Sequence, residues 1–190
     1  HEKGIRIILD LVVNHTSDKH PWFTEAKKGK ENPYHDYYIW KDTIPNNWGS
    51  SFGGPAWEYV EETAQYYLHL FAKEQPDLNW ENPKVRKEVQ EILRFWLEKG
   101  IDGFRLDVIS FISKKEGLPD GNAVIGSLMG FKGCEHYFYG PHLHQYLREL
   151  REHSFGKFDA FTVGECQGTG LQMSRLMTGD DRGELDVVFS

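Results

Sequence analysis

The stretch "IDGFRLDVIS", residues 101–110, places an arginine and an aspartate inside a segment that otherwise has the composition of a buried β-strand. Such a nearly continuous apolar run is typical of a parallel strand that is covered on both faces. Burying a charge is costly unless the charge is paired. Arg105 and Asp107 are two residues apart, so their side chains point to the same face, where we expect them to pair. The stretch therefore predicts a strand of a parallel sheet in which the Asp107 carboxylate is paired with Arg105 on one face.

Three further segments have the same character, and the four predicted strands cover residues 6–13, 103–109, 160–164 and 185–189. A helix is predicted over residues 82–100, because Asn82 suits the N-cap, Pro83 the first helical position and Gly100 the end. Its predicted apolar stripe consists of Val85, Val89, Ile92, Leu93 and Trp96. A second helix is predicted within residues 140–153. Strands that alternate with helices indicate an α/β fold with a parallel sheet.

The connection between the first strand and the first helix, residues 16–81, is too long for a simple loop. It is rich in Trp, Tyr, Pro, Gly and Asn, and the pieces "YYIW" and "YYLHLF" within it have the pattern of short strands. Flat aromatic rings suit carbohydrate faces, but they suit protein cores as well, and the core is the simpler explanation here. We expect this insert to form a subdomain of its own.

The composition excludes several classes of function. The 190-residue chain is acidic, with a formal net charge of −7 and a pI near 5.7, so no nucleic acid or membrane surface is expected as a partner. No apolar run approaches the roughly 20 residues that a membrane span needs. Two cysteines without CxxC spacing make no disulfide framework, and a cytoplasmic protein is expected. Because the chain lacks an initial Met and both ends fall inside patterned segments, we expect an internal piece of a longer protein.

Polar side chains recur where the predicted strands end. The first strand carries Asp10 with His15 just beyond it, the second carries Arg105 and Asp107, and the third leads into Glu165. In a (β/α)8 barrel, catalytic residues project from the C-terminal ends of several strands. Two carboxylates on neighbouring strands suit retaining glycoside hydrolysis, which needs them about 5–5.5 Å apart. Asp107, beside Arg105, suits the nucleophile, and Glu165, without a cationic neighbour in sequence, suits the general acid and base.

Each of these residues has a simpler explanation when taken alone. The arginine and aspartate can be a structural ion pair, His15 a satisfied histidine and Glu165 an ordinary loop acid. Metal-dependent hydrolysis is a rival, because Asp, His and Glu are metal ligands, yet HxH and HExxH spacings are absent and Arg105 would repel a cation. A non-catalytic binding scaffold is a third possibility, which the intact Asp107 and Glu165 disfavour.

The motifs around these residues resemble those of the α-amylase superfamily of glycoside hydrolases, in particular its oligo-1,6-glucosidase and dextran glucosidase branch. "DLVVNH", "GFRLDVI" and "TVGE" are similar to three of the family's sequence blocks in the expected order, and "QPDLNW" is similar to a block of this branch. The resemblance covers the entire chain and implies part of a (β/α)8 TIM barrel, about strands 3 to 6. Residues 1–15 would hold strand 3, residues 16–80 an inserted domain B, and residues 81–190 strands 4 to 6 with their helices.

The same resemblance implies roles for individual residues. Asp107 would be the nucleophile that forms a glucosyl–enzyme intermediate, and Glu165 the general acid and base. The substrate-binding residues would be Asp10, His15 and Arg105 around the terminal glucose, with Phe52, Phe71 and Gln75 lining the pocket from the insert. In similar enzymes a valine at the position of Val108 accompanies α-1,6 linkages. The family's third catalytic aspartate has no counterpart within these residues.

We therefore expect a retaining, exo-acting α-glucosidase that hydrolyses α-1,6-glucosidic bonds of isomalto-oligosaccharides from the non-reducing end. Trehalose-6-phosphate hydrolase is an alternative, and an α-glucosyltransferase or sucrose isomerase is another, because such relatives share these motifs. We expect an oligosaccharide substrate, a monomer and no cofactor or metal; calcium supports some relatives, but these residues give no case for it. After Glu165 the chain reads Cys166-Gln167, where relatives more often carry an apolar pair such as Met-Pro, so its acceptor preference is open.

Overall fold

The computed structural model describes all 190 residues and contains seven strands and five α-helices. The strands are β1 (Ile8–Val12), β2 (Trp40–Lys41), β3 (Trp57–Val60), β4 (Gln65–Leu68), β5 (Gly103–Asp107), β6 (Phe161–Glu165) and β7 (Val187–Phe189). The helices are α1 (Pro21–Ala26), α2 (Pro83–Glu98), α3 (Ala123–Met129), α4 (Leu143–His153) and α5 (Leu171–Thr178).

Four strands form one parallel sheet in the order β1-β5-β6-β7. All four are the strands predicted from the sequence; β1, β5 and β7 are shorter than expected, and β6 is shifted by one residue. Helices connect β5 to β6 and β6 to β7, and α2 precedes β5. The alternation of strand and helix therefore has the predicted α/β architecture, and it places the carboxyl ends of the four strands along one edge of the sheet.

The prediction that every strand is covered on both faces is wrong for the two outer strands. Ile8 and Val12 of β1 and Phe189 of β7 are 43%, 47% and 45% exposed. The reason is that the four strands form an open sheet, in which β1 and β7 are edges. The central strand fits the prediction better, since Phe104 and Leu106 of β5 are fully buried.

Helix α2 begins and ends where the sequence predicts. The Asn82 side chain accepts a hydrogen bond from the Lys84 N–H at 2.9 Å, and Gly100 takes a left-handed conformation with φ of 91° just beyond the helix. The predicted apolar stripe is partly wrong. The buried residues are Val85, Val89, Leu93 and Leu97, whereas the predicted members Ile92 and Trp96 are 38% and 39% exposed. A strict four-residue step thus describes the buried face, and positions 92 and 96 lie on its flank.

The insert contains a small antiparallel sheet in the order β2-β4-β3. The segment "YYLHLF" overlaps β4 as predicted, while only the last residue of "YYIW" is in a strand and β3 was not predicted. Rings of Phe23, Tyr38, Trp40 and Tyr67 pack together with centroid separations between 4.9 and 5.8 Å. The aromatic residues of this region are therefore mainly core, and the domain boundaries at residues 15 and 80 stay predictions.

A second apolar cluster fixes the insert to the segment that follows β5. It contains Trp48, Trp57 and Phe71 from the insert, together with Val108 and Phe111 from the other side. Both contributions are buried, so the insert is held against the carboxyl end of the strand that carries Arg105 and Asp107. None of the helices combines the length and apolar character that crossing a bilayer requires.

Candidate active site

Strand register brings the predicted acidic residues together. Asp10 pairs with Arg105 across β1 and β5, and Leu106 pairs with Gly164 across β5 and β6. Asp107 and Glu165 therefore occupy the next position on two neighbouring strands. Directly before Glu165, Gly164 leaves room for the Leu185 side chain, because a Cβ at Gly164 would lie 2.6 Å from Leu185 Cδ1. All the charged side chains share one face of the sheet, since Arg105 and Asp107 are two residues apart, Asp10 lies opposite Arg105, and Glu165 lies level with Asp107.

The guanidinium of Arg105 lies at the centre of this charged group. Its Nη1 donates to Asp107 Oδ1 at 2.7 Å, and its Nη2 donates to Glu165 Oε2 at 2.6 Å. A longer contact of 3.4 Å joins Nη1 to Asp10 Oδ1. The side chains of Arg105, Asp107 and Glu165 are 23–27% exposed, whereas that of Asp10 is 66% exposed. The two predicted catalytic carboxylates are therefore held by opposite nitrogens of one cation, in a partly desolvated place.

Glu165 has no cationic neighbour in sequence, but the fold gives it one in space. Arg105 lies on the middle strand of three, and a guanidinium has donors on two sides, so it reaches carboxylates on both β5 and β6. Sequence proximity had suggested a partner for Asp107 alone. The assignment of acid and base roles to Glu165 therefore rests on its position opposite Asp107 and on the motif resemblance, and no longer on isolation from positive charge.

The charge of Arg105 is secured by its surroundings. Burial alone lowers the pKa of this guanidinium, but the carboxylates of Glu165, Asp107 and Asp10 outweigh burial and raise the pKa above its ordinary value. Arginine is thus a permanent cation here at every pH at which the protein is folded. Three acids around one cation leave the group with excess negative charge, which suits stabilisation of a positively charged oxocarbenium-like transition state.

Val108 holds a strained backbone directly after Asp107. Its φ of 37° and ψ of 39° lie in the left-handed region, which is a genuine outlier for a β-branched residue. The conformation turns the chain sharply at the strand end and aims the Val108 N–H at Glu165 Oε2, at 3.3 Å. Strain of this kind persists only where the surroundings impose it, and here the side chain is 5% exposed within the second apolar cluster.

Because of this strain, the glycine variant at position 108 is expected to be more stable than the alanine variant, which is the reverse of the order in a helix. With the side chain shortened in both cases, Val108→Gly is expected to be more stable than Val108→Ala by about 1 kcal/mol, because glycine adopts the left-handed conformation freely. Val89 in the middle of α2 is the matched control, where Gly is expected to be less stable than Ala by about 1 kcal/mol. Denaturant unfolding of the four variants in the complete protein measures both differences. Equal signs at the two positions would contradict the strained conformation.

His15 and the predicted insert residues form a second group beside the carboxylates. The His15 ring is 6% exposed, its Nε2 lies 3.0 Å from Gln75 Nε2, and its centroid lies 5.2 Å from that of Phe71. Phe52 follows at 5.9 Å from Phe71, but it is 73% exposed. The structure therefore brings His15, Gln75 and Phe71 into contact, while Phe52 projects from the edge of this group.

His15 is kept neutral by two independent features. Burial lowers its pKa below 6.5, more than the charges of Asp77 and Asp107 raise it. In addition, both ring nitrogens face side-chain amide nitrogens, that of Gln75 at 3.0 Å and that of Asn14 at 3.3 Å. An imidazolium would present an N–H to both of these N–H donors, whereas the neutral ring presents an N–H to only one of them. A neutral ring in this position can exchange hydrogen bonds with a sugar hydroxyl without adding charge to the site.

A buried ion pair behind His15 was not anticipated from the sequence. Lys114 Nζ lies 2.8 Å from Asp77 Oδ2 and donates to Asn14 Oδ1 at 2.9 Å, and Asn14 donates to Asp77 at 3.0 Å. The other oxygen of Asp77 accepts the Leu70 N–H at 2.9 Å. Burial lowers the pKa of Lys114, and its pairing with Asp77 opposes that shift. Asn14, Asp77 and Lys114 thus form a triad that links the segments after β1 and β5 with the insert. This triad fixes the position of the backbone that carries His15.

The same triad determines whether the Asn14 side chain is suited to bind calcium. The side-chain oxygen of Asn14 is a calcium ligand by type, but here the Lys114 ammonium contacts that oxygen. A calcium ion at that oxygen would meet a positive charge, so this donor set does not fit it. No three His, Cys, Asp or Glu side chains of the chain are grouped as metal ligands elsewhere. The residues therefore offer no support for the metal-dependent alternative.

One well-formed cavity lies away from the carboxylates. It has a volume of about 500 Å³ and lies between the insert and residues 112–118, lined in part by Trp40, Gln65 and Tyr146. The charged group lies instead on one face of the four-stranded sheet, towards the carboxyl ends of β1, β5 and β6. Two carboxylates on neighbouring strands are the pair of groups that retaining glycoside hydrolysis uses.

Comparison with known proteins is in line with this geometry. The sequence model of the family described as "Alpha amylase, catalytic domain" matches residues 1–190. An oligo-1,6-glucosidase from Halalkalibacterium halodurans is 51% identical over 193 residues, covering 100% of this chain and 34% of that protein. The chain therefore spans about a third of the length of that curated relative.

Two solved structures are similar over nearly the whole chain. The crystal structure of trehalose-6-phosphate hydrolase from Bacillus licheniformis has a TM-score of 0.94 at 50% identity, covering 100% of this chain and 34% of that one. A mutant isomaltulose synthase from Erwinia rhapontici NX5, in complex with D-glucose, has a TM-score of 0.93 at 43% identity, covering 99% and 34%. These likenesses confirm the predicted fold class, part of a (β/α)8 barrel.

Proposed function

The chain belongs to the α-amylase catalytic-domain family and is part of a glycoside hydrolase, and on that premise we propose that the complete enzyme is a retaining, exo-acting α-glucosidase. Its preferred substrates are isomalto-oligosaccharides, from which it removes glucose at the non-reducing end by hydrolysing α-1,6 bonds. The observation that carries the proposal is the single guanidinium of Arg105 bonded to both Asp107 and Glu165. A double displacement at a sugar carbon requires two carboxylates, and these two lie on neighbouring strands as the reaction needs.

The first step forms a covalent bond to the enzyme. A carboxylate oxygen of Asp107 attacks the anomeric carbon, while the bond between that carbon and the glycosidic oxygen breaks. Glu165 donates a proton to the departing oxygen, so the aglycone leaves as a neutral alcohol. Arg105 holds both acids at fixed positions, and Asp10, His15 and Gln75 are proposed to bind the hydroxyls of the terminal glucose.

The second step releases glucose. Glu165, now ionised, takes a proton from water as the water oxygen attacks the anomeric carbon, and the bond to Asp107 breaks. Two inversions give net retention of the α configuration. The negative charge gathered around Arg105 stabilises the positive character that the sugar ring develops in both transition states.

Linkage preference is assigned to Val108. Its side chain follows the nucleophile and is held rigidly, because the strained backbone and the surrounding apolar cluster leave it one position. A rigid branched side chain beside the nucleophile favours one approach of the aglycone over another. The similarity to an oligo-1,6-glucosidase supports α-1,6 as the favoured linkage.

The expected substrate preference is measurable. The complete enzyme is expected to hydrolyse isomaltose with a kcat/KM about 10- to 200-fold above that for maltose, the range that one well-placed apolar contact supplies. Val108→Ala is expected to narrow that ratio, because the smaller side chain admits both trajectories. Steady-state kinetics with the two disaccharides provides the ratios. Faster turnover of maltose by the unmodified enzyme would refute the linkage assignment.

Two other activities have a specific observation in their favour. The solved structures with TM-scores of 0.94 and 0.93 are a trehalose-6-phosphate hydrolase and an isomaltulose synthase. A phosphorylated substrate would need a basic site, and Arg105 is already bonded to carboxylates. Assays of trehalose-6-phosphate and sucrose beside isomaltose, with products identified by chromatography, distinguish the three. Dominant cleavage of trehalose-6-phosphate, or isomerisation of sucrose, would replace the proposed activity.

The organisation of the complete protein is likewise proposed. We expect residues 16–80 to act as domain B, which supplies Phe52, Phe71 and Gln75 to the rim of the glucose site. The contact of Gln75 with His15 at 3.0 Å supports this arrangement. A monomeric state and a cytoplasmic location stay predictions from the sequence.

A further inference from the structure

We propose that Tyr139 is a positioning residue that holds the loop directly after Glu165 and thereby shapes the leaving-group and acceptor side of the site. The inference rests on the proposed function and adds to it a residue that determines how the second sugar is bound. It is carried by hydrogen bonds that join two separate loops, those that follow the strands of Asp107 and of Glu165.

The backbone of Tyr139 is anchored to the loop after β5. Its N–H donates to the carbonyl of Ser110 at 3.0 Å, only three residues after Asp107. Its φ of 54° is left-handed, which is uncommon for an aromatic residue and indicates that the position is imposed by its surroundings. The next residue, Gly140, lies so close to this loop that a Cβ would be 1.9 Å from the carbonyl oxygen of Ser113. The Tyr139 side chain therefore starts from a fixed base.

The phenol of Tyr139 reaches across to the loop after β6. Its hydroxyl donates to the carbonyl of Gln167 at 2.8 Å and contacts the Thr169 hydroxyl, which in turn donates to the carbonyl of Cys166 at 2.6 Å. Only two hydroxyl protons are available for these three contacts, so the Tyr139 and Thr169 hydroxyls have to share them and depend on each other. Part of this unit is buried, and burial raises the pKa of the Tyr139 phenol, which keeps it a donor.

The loop that Tyr139 holds has little else to hold it. Cys166 is buried and its N–H donates to the Phe189 carbonyl at 2.8 Å, but the two residues after it, Gln167 and Gly168, are exposed. The hydrogen bonds made by side chains to this short loop come from Tyr139 and from Thr169 itself. Loss of the phenol hydroxyl is therefore expected to loosen the loop and to leave strand β6 in place.

The chemistry places this loop on the leaving-group side. Glu165 protonates the glycosidic oxygen, so the aglycone must lie beside Glu165 and beside the residues that directly follow it. The sugar that leaves in the first step, or arrives as an acceptor in the second, passes the same loop. A loosened loop is therefore expected to lower the affinity for that second sugar. Binding of the glucose at Asp10, His15 and Arg105 is expected to stay unchanged.

The test compares a substrate that has an aglycone sugar with one that has none. In the complete enzyme, Tyr139→Phe is expected to lower kcat/KM for isomaltose about 10-fold while leaving α-glucosyl fluoride within about two-fold, since fluoride makes no sugar contacts. Thr169→Val is expected to give the same pattern, and the double variant to be no worse than either single one. Transfer of glucose to added glucose acceptor is expected to fall in parallel.

Matched controls separate the outcomes. Tyr59→Phe, on the half-exposed face of β3, removes a hydroxyl that makes no hydrogen bond and is expected to change neither substrate. Equal losses on both substrates, or no loss on either, in folded Tyr139→Phe and Thr169→Val proteins would overturn the inference. An unmodified enzyme that cleaves neither isomaltose nor α-glucosyl fluoride would instead refute the proposed function itself.

Discussion

Asp107→Asn is expected to lower kcat on an aryl α-glucoside by about 10⁴-fold or more, the scale on which enzymes depend on a covalent nucleophile. Asparagine keeps the size and the side-chain oxygen that accepts from Arg105 Nη1 at 2.7 Å, so the site geometry is preserved. What the variant loses is the negative oxygen that attacks the anomeric carbon. The effect should appear in kcat and kcat/KM alike, because the missing bond forms only on the way to the intermediate.

Two companion variants give this prediction its contrast. Glu165→Gln is expected to lose less with an aryl glucoside than with isomaltose, because an aryl leaving group departs with little help from an acid. Asp159→Asn, an exposed aspartate near the amino end of β6, is expected to keep activity within about two-fold of the unmodified enzyme. Near-native turnover by a folded Asp107→Asn protein would mean that another residue is the nucleophile.

Lys114→Met is expected to lower the free energy of unfolding by about 3–5 kcal/mol, because it leaves the Asp77 carboxylate buried without its counter-charge. The side chain of Asp77 is fully buried and that of Lys114 is 5% exposed, so water cannot compensate. Asn14 would lose the donor to its side-chain oxygen as well. Denaturant unfolding of the complete protein measures this loss of stability. Activity is expected to fall too, because the substitution disrupts the ion pair that supports His15.

The control variants test whether the missing partner, and not the missing volume, is responsible. Lys114→Met combined with Asp77→Asn is expected to recover part of the loss, since the stranded charge is gone while the Leu70 N–H keeps an acceptor. Lys87→Met removes an exposed lysine 3.7 Å from Glu91 and is expected to cost less than about 0.5 kcal/mol. A double variant as unstable as the sum of the two single ones would contradict the ion-pair explanation.

The sequence was sufficient for the parallel sheet, because each of its strands is a nearly continuous apolar run and α2 has an N-cap, a proline and a terminal glycine in the expected places. Exposure of the outer strands was misjudged, since an apolar run does not show which neighbour will cover it. Helices α3 and α5 were not predicted. The sequence of α3 has a weak apolar periodicity. Its residues Val124 and Leu128 are 69% and 81% exposed, so the helix has no buried apolar stripe that could have been recognised from the sequence.

The candidate site was predictable where strand parity decides it. Asp10, Arg105, Asp107 and Glu165 lie on one face because they are spaced in twos and sit at equivalent levels of parallel strands. The partner choice of Arg105 was not predictable, because it depends on which strands are neighbours. The sequence shows only that Asp107 is two residues away, whereas the contact with Glu165 spans 60 residues.

The residues that the sequence did not disclose share a physical reason. Lys114 and Asp77 are joined across the insert, and Tyr139 and Thr169 across two loops, so neither pair has a periodicity or a spacing that marks it. One signal was available for the first pair. A lysine within the apolar stretch that follows β5, "VISFISK", has to find an anion if it is buried, and the aspartate of "QPDLNW" is such an anion.

Covalent trapping tests the central claim most directly. A fluorinated α-glucoside that forms the glycosyl–enzyme quickly and releases it slowly is added to the complete enzyme, which is then digested and analysed by mass spectrometry. The account predicts one added sugar, on the peptide that contains Asp107, and none in the Asp107→Asn protein. A sugar bound to Glu165 or to another peptide, or turnover of this reagent with no covalent species at all, would contradict it.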